Sequence, residues 1–486
     1  MAAYLGIDVG TSSVKLSVVD EAGCVIASVN RDYVIQEPHS GWREIDPYAW
    51  WDAVCAGCRA LKTRIPLGSV EGVGVTGQMH TVVCLDGANR PVGPSIMWND
   101  QRTIDEVASA RNELERIGEH ALARRISTGS PAINLAWMKK HASQAFASTK
   151  TFIGVPDWIA LQLGAPVATD WCGASVTSLF DISRNTWSYQ ACEALGIPER
   201  ILPMIEDADC VAGSLSAEAA EATGLPVGIA IVRGTGDNPA SAIPTGCLVH
   251  GTPTISLGTS GVLMYAEHGV VDPAYGKPVL FRAQDELSTL VQLSVRSCGS
   301  NRQWWNKSIL RCKDFELEDR RVAQLDHDMR NLFFYPHLNG EKVLHADPYM
   351  RGAFLGLDLD TTRSELCRAL MEGIAFALRS LRDVVEKHED WGVVSLVGGG
   401  SKSDLWTQII SCVLNVPVVR LKTSGAGQGA AMLALSAVTG EKLAVIVERS
   451  IQRIDEVLPE QSISARYDER YEVYQRIYGA LREIYA

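Results

Sequence analysis

The string Gly234-Thr235-Gly236-Asp237-Asn238 follows an apolar run, Ile229 to Val232. A carboxylate on a glycine-flanked strand end is positioned rather than solvated. Such a group can orient an attacking hydroxyl and take its proton. Two other strings would give that hydroxyl something to attack. Asp8-Val9-Gly10-Thr11-Ser12 closes an apolar run. Gly10 lets the backbone approach a phosphate, while the Thr11 and Ser12 hydroxyls and the N–H groups of the turn can bind its oxygens. Asp8 at the strand end can hold Mg²⁺, which takes one or two carboxylates beside phosphates and water. Gly258-Thr259-Ser260 repeats the turn half a chain later. Gly398-Gly399-Gly400-Ser401-Lys402-Ser403 follows another apolar run. Its side-chain-free backbone suits the flat ring of a nucleotide. Together these residues fit transfer of a phosphoryl group, a reaction in which the protein mainly orients and neutralises.

Other motifs lead elsewhere and fail. Walker A, His-Glu-x-x-His and Gly-x-Ser-x-Gly strings are absent. Gly72-Val73-Gly74-Val75-Thr76-Gly77 matches a dinucleotide fingerprint as letters, but a strand is expected after it where a pyrophosphate needs a helix N-terminus. Cys55-Ala56-Gly57-Cys58 has redox or zinc spacing. It lies in a helix-like stretch with no second pair, so it reads as packed helix cysteines.

The elements that must position these residues are legible in outline. Leu5 to Val9, Val14 to Val19 and Val25 to Val29 read as three strands, the first two joined by the Gly-Thr-Ser turn. A helix is expected from about Pro47 to Lys62 and a strand from Val70 to Val75. Ile255 to Val262 echoes Ile7 to Val14 over eight positions, which favours a duplicated domain with one phosphate-facing hairpin per copy. Thr362 and Glu365 have capping-box spacing before an apolar stripe. Val393 to Val397 reads as a buried strand, and Ser401-x-x-Asp404 as the start of a helix. Tyr467, Tyr471, Tyr474, Tyr478, Leu481 and Tyr485 form one face of a docking helix. The expected domains are 1–245 and 246–486.

The bulk properties set limits. The chain has 486 residues, 46% hydrophobic and 21% charged, as in a soluble two-domain protein. A net charge of −12 without a basic stripe disfavours nucleic acid as a partner. No apolar run spans a bilayer, the start does not read as a secretory signal, and the 12 cysteines are scattered. The expectation is a cytoplasmic protein with no membrane partner. A homodimer is admitted, although no residue pattern sets the oligomeric state.

These strings converge on one family. The chain resembles the FGGY carbohydrate kinases through Ile7–Lys15, Gly41–Pro47 with Trp50-Trp51, Gly77-Gln78-Met79-His80, Trp98-Asn99-Asp100-Gln101-Arg102, Gly236-Asp237-Asn238, Leu257–Gly261, Arg351–Leu357 and Gly398–Gly400. The resemblance implies an α/β fold of two ribonuclease-H-like (actin-like ATPase) domains with ATP and sugar in a central cleft. It implies Asp237 as catalytic base, and Met79, His80, Asp100 and Asn238 as contacts to a sugar, with D-xylulose expected. It places phosphates at Gly10, Thr11, Ser12, Gly258 and Thr259, and the nucleotide also at Gly299, Gln303, Gly398, Gly399, Gly400 and Ser403. ATP and Mg²⁺ are the implied cofactors. Another ketose, a polyol or gluconate is the alternative acceptor, and an actin-like nucleotide sensor without turnover the alternative class. Three departures are present. Thr81 stands where ketopentose kinases have Gly, Lys342 where the family has Arg, and Gly427-Gln428-Gly429-Ala430-Ala431 lacks the usual preceding Glu.

Overall fold

The computed structural model describes residues 2–269, 279–285, 287–325, 331–341, 343–385, 391–423 and 425–485. Lys342 lies outside them. The three leading strands form as β1 (Ala3–Val9), β2 (Ser13–Asp20) and β3 (Val25–Asp32). β1 is apolar apart from Asp8 because it is central: it pairs antiparallel with β2 and parallel with β4 (Val70–Gly77). Strands covered on both faces read as continuous apolar runs, whereas β3, at the sheet edge, is partly exposed along its length. With β5 (Val211–Ser214) and β6 (Ala230–Gly236) the sheet order is β5-β6-β4-β1-β2-β3.

Helix α1 (Pro47–Leu61) starts at Asp46, whose side chain accepts from Tyr48 N, and it buries Trp50, Val54, Cys58 and Leu61. Cys55 and Cys58 are buried on it, and burial pushes their thiols up to about 11 and about 12. Gly72, Gly74 and Gly77 lie within β4, and a second strand, Val82–Leu85, follows. No helix begins where a dinucleotide would need one. Helices α2 (Val155–Leu163) and α3 (Asp237–Ala242) complete the elements used below from this half.

The second sheet repeats the first. β7 (Thr254–Leu257), β8 (Gly261–His268), β9 (Val279–Arg282), β10 (Ser288–Val295), β11 (Val394–Val397), β12 (Val418–Lys422) and β13 (Gln452–Val457) are ordered β9-β10-β8-β7-β11-β12-β13. In each half a hairpin pair is continued by a third antiparallel strand, and two parallel strands extend the other side. The two Gly-Thr-Ser turns therefore join equivalent strands, β1 to β2 and β7 to β8.

Helix α4 (Gly299–Gln303) follows β10. The capping box forms: Thr362 N donates to Glu365 Oε2 at 2.7 Å and Glu365 N to Thr362 Oγ1 at 3.3 Å, opening α5 (Arg363–Val385). The helix expected from Ser401 begins later. Gly399–Lys402 make a 3-10 turn, and Ser403 caps α6 (Asp404–Leu414) by accepting from Trp406 N at 3.1 Å. Gly398, at φ +93°, ends β11. The glycine run needs this tight turn before an α-helix can start. Ser401 Oγ instead donates back to Gly398 O at 2.8 Å. The tyrosine stripe spans two helices, separated from each other at Gln475 and Arg476. After α7 (Ala426–Thr439) come α8 (Gln461–Tyr474) and α9 (Ile477–Tyr485). Tyr467, Tyr471, Tyr474 and Leu481 are buried, and Tyr478 and Tyr485 pack against the same core.

The halves interlock through α7, which lies on β1 and β4 of the other sheet. A Cβ on Gly6 would stand 1.9 Å from Gly427 O, and one on Gly74 would stand 2.1 Å from Ala430 O. One on Gly429 would stand 1.8 Å from Ala240 O in α3. Gly6 of β1, Gly74 of β4 and the small residues of 427–431 thus let backbone pack on backbone.

Candidate active site

Parallel register gathers the first half of the site. Val9 pairs with Gly77, and Gly77 with Gly236. Asp8, Gln78 to His80, and Asp237 therefore meet at the same ends of three adjacent strands. Burial raises Asp237 to about 7, with the neighbouring Asp8 charge adding to the effect. Burial raises Asp8 to about 6 against the opposing pull of Lys15. The Asp8 charge disfavours ionisation of Asp237, and Asp8 itself offers the kind of oxygen that a hard cation takes beside water and phosphate. Asn238 sits half-buried beside Asp237 in the first turn of α3.

The Gly10 turn is tight: Gly10 N donates to Ser13 O at 3.0 Å, and Gly10 O accepts from the Tyr33 hydroxyl. Thr11 Oγ1 accepts from Trp98 Nε1 at 3.1 Å, while Ser12 is exposed. Gln78 N donates to Val9 O, but its side-chain amide is buried with no hydrogen-bond partner among the described residues. Met79 packs against Gly236 and receives the Cys172 thiol at 3.4 Å. His80 holds a left-handed backbone at φ +66°, with Nδ1 3.1 Å from Val176 O. Non-glycine residues held this way concentrate at functional sites.

Asp100 is brought to the adjoining loop, but its carboxylate is turned to structure. It accepts from Arg43 N at 2.6 Å, from Arg102 N at 2.8 Å and from the Arg102 guanidinium at 2.8 and 3.0 Å. Arg102 also pairs with Glu44 at 2.6 Å and lies 3.8 Å over the Trp42 ring. Thr81 is buried, and its Oγ1 accepts from Trp98 N at 3.0 Å. Thr81 thus anchors Trp98, whose indole reaches the Gly10 turn through Thr11. Sequence reasoning missed Trp98, Arg102 and Tyr33. The first two stood in the same string as Asp100, whereas nothing near Tyr33 signalled its link to Gly10.

The second half forms a similar cluster. Gly299 N donates to Gly258 O at 2.9 Å, and a Cβ there would stand 2.4 Å from that oxygen. Cys298 N and Ser300 N both donate to Thr259 O. Gly398 and Gly400 close on Leu257, the residue before Gly258. Gly258, Thr259, Gly299 and Gly398–Gly400 therefore lie together, with Gln303 exposed on α4. Ser403 Oγ donates to Asp319 Oδ2 at 2.5 Å, and Asp319 Oδ1 accepts from Arg302 at 2.5 Å. That hydroxyl ties α6 to α4.

Behind Met79 lies a second acidic pair. Asp157 and Asp170 are buried, line the cavity under Met79 and Gly236, and cap α2 and the helix Trp171–Ser175. Burial raises both carboxyls, and for Asp157 the Asp170 charge adds to it, against Arg233. A folded-state value above the unfolded one means that the native state binds more protons. Stability from this pair is full below about pH 4, the ordinary carboxylate value, and is lost as pH rises through the raised folded values. Asp157→Asn keeps an acceptor for Gly154 N and removes one charge. Its melting temperature relative to the parent should climb between pH 5 and pH 8, read by thermal unfolding. A difference that does not change with pH would refute the coupling.

Two duplicated sheets, a glycine turn at each and a carboxylate at their junction define the two-domain actin-like ATPase fold. The model of the FGGY family of carbohydrate kinases matches the chain, its N-terminal domain over residues 3–244 and its C-terminal domain over 254–438, and the protein belongs to that family. It is therefore a carbohydrate kinase, and ATP binding is inherent to the family. A xylulose kinase of Bacillus subtilis (strain 168) is 29% identical over 496 residues, covering 100% of this chain and 98% of the relative. The crystal structure of a xyloylose kinase from Brucella ovis superposes with a TM-score of 0.90 at 30% identity, covering 99% and 100% of the two chains. That of a gluconate kinase from Lactobacillus acidophilus superposes with 0.89 at 25% identity, covering 100% and 99%. Among the described residues, no helix is long and apolar enough to cross a membrane.

Proposed function

We propose that the protein transfers the γ-phosphoryl group of ATP to D-xylulose, giving D-xylulose 5-phosphate. The observation that carries this is Asp237: a half-buried carboxylate, raised to about 7 by desolvation, next to the strand end that carries Met79 and His80, with Asp8 on the strand beyond it. Asp237 orients the terminal hydroxyl of the sugar and takes its proton as the phosphorus–oxygen bond forms. His80 and Asn238 hold the sugar, with Met79 packed beneath it. The turns at Thr11 and Thr259 hold the phosphates, and Gly299 with Gly398–Gly400 forms the nucleotide floor. Asp8 would hold Mg²⁺ together with the phosphates, and the ion would supply charge neutralisation there. We place the boundary between a sugar-binding and an ATP-binding domain near Gly246. Closure excludes water, which otherwise competes as acceptor.

Gluconate is the second reading, favoured by the likeness to the Lactobacillus gluconate kinase. ADP release measured across D-xylulose, L-ribulose, gluconate and polyols tests both. The expected result is the highest kcat/KM with D-xylulose, and no response to it would refute the assignment.

A further inference from the structure

Arg111, Arg124, Arg125 and Arg296 line one cavity of about 400 Å³. The first three come from the first half of the chain and the fourth from the second. None of the four makes an ion pair among the described residues. Their hydrogen bonds run to neutral backbone oxygens: Arg111 to Ala123 and Ile126, Arg125 to Leu280 at 2.7 Å, and Arg296 to Asn339 at 3.1 Å. Arg124 is exposed. One carboxylate, Glu341, is in the wall. Its oxygens are already filled by the N–H groups of Val343, Leu344, His345 and Ala346. The cavity thus holds a clear excess of positive charge with free guanidinium donors. Burial lowers Arg125 to about 10, Asp181 opposing and Arg282 adding to it. A guanidinium placed so is costly until an anion meets it, and its planar fork suits carboxylate and phosphate oxygens.

This cavity adjoins the acceptor site, because His80 and Val176 line both it and the cavity that contains Met79 and Gly236. We infer that the cleft is a binding site for a small oxyanion, a carboxylate or phosphate, held by arginines from both halves next to His80. The inference stands whichever neutral sugar is phosphorylated. The anion has two sources: the acidic end of a sugar acid that occupies both cavities, or a free phosphate or phosphosugar beside a neutral acceptor.

The test uses the full-length protein, with inorganic phosphate and D-gluconate as separate probes in calorimetric titration against chloride at equal ionic strength. Saturable binding of at least one probe is expected. Arg124→Gln and the double variant with Arg296→Gln should each weaken it, the double by about tenfold or more, as loss of charge-assisted hydrogen bonds implies. Arg124 is exposed, so its replacement leaves the fold intact if the double variant fails to fold. Gluconate-stimulated ADP release, inhibited by phosphate, would assign the site to an acidic acceptor. Phosphate binding without any response to gluconate would assign it to a free anion. Binding no stronger than chloride, or equal binding by parent and Arg124→Gln, would overturn the inference.

Discussion

An Asp237→Asn enzyme is expected to turn over about 10³-fold more slowly than the parent, in line with the loss of a general base. Asn keeps the shape and one acceptor oxygen, so the sugar still binds and KM should change little. The fall in kcat without a matching rise in KM marks a group that acts in the transition state. The parent should show the titration directly. Only the ionised carboxylate accepts a proton, and Asp237 is raised to about 7 by burial and then by Asp8. The kcat/KM of the free enzyme should therefore rise tenfold per pH unit below that value and level off above it. Stability should move the opposite way. A carboxyl whose folded value is raised costs stability once pH exceeds the unfolded value, so Asp237→Asn should melt higher than the parent at pH 8. A variant that is dead and more stable separates a lost base from a broken fold. Near-normal turnover by this variant would remove Asp237 from the mechanism.

Gly74→Val is expected to have the largest effect on stability. Its Cβ would stand 2.1 Å from Ala430 O, a backbone atom of α7 that no rotamer change can move aside. Overpacking a dense interior usually costs 1–3 kcal/mol, and a clash with backbone belongs at about 3 kcal/mol or above. Since α7 also touches α3, which opens with Asp237, the displacement should reach the active site. Urea unfolding and kcat measured together should both fall. Gly68→Val meets open space and serves as the control. Equal stability of the two variants would show that α7 is not held as described.

Local features with a strong physical signature were legible before the fold was known. β1 and β7 were readable because central strands are largely apolar and each ends in the same Gly-Thr-Ser turn. The cap at Thr362 was readable because both partners lie within one helical turn. Features built from distant residues were hidden. Gly74 of β4 resembled part of a failed nucleotide fingerprint, and its reason, Ala430, lies over 350 positions away. Asp100 looked free to meet a sugar because neither Arg43 nor the orientation of Arg102 shows in a string. Ser401 and Ser403 are equally good caps on paper. The 3-10 turn that chooses between them depends on how Gly398 leaves its strand. The four arginines of the cleft, spread from 111 to 296, form no motif.

The position of α7 has a consequence for the order in which the protein is made. Residues 3–236 contain every strand of the first sheet, yet one face of β1 and β4 is covered by residues 426–439. During synthesis the N-terminal half emerges with the glycine-lined face of β1 and β4, around Gly6 and Gly74, lacking its cover until most of the second half has left the ribosome. Domains generally fold as units as they emerge. Here the first has a core of its own, residues between Ala3 and Ile231, but the layer it shares with α7 can be completed only when the second is nearly finished.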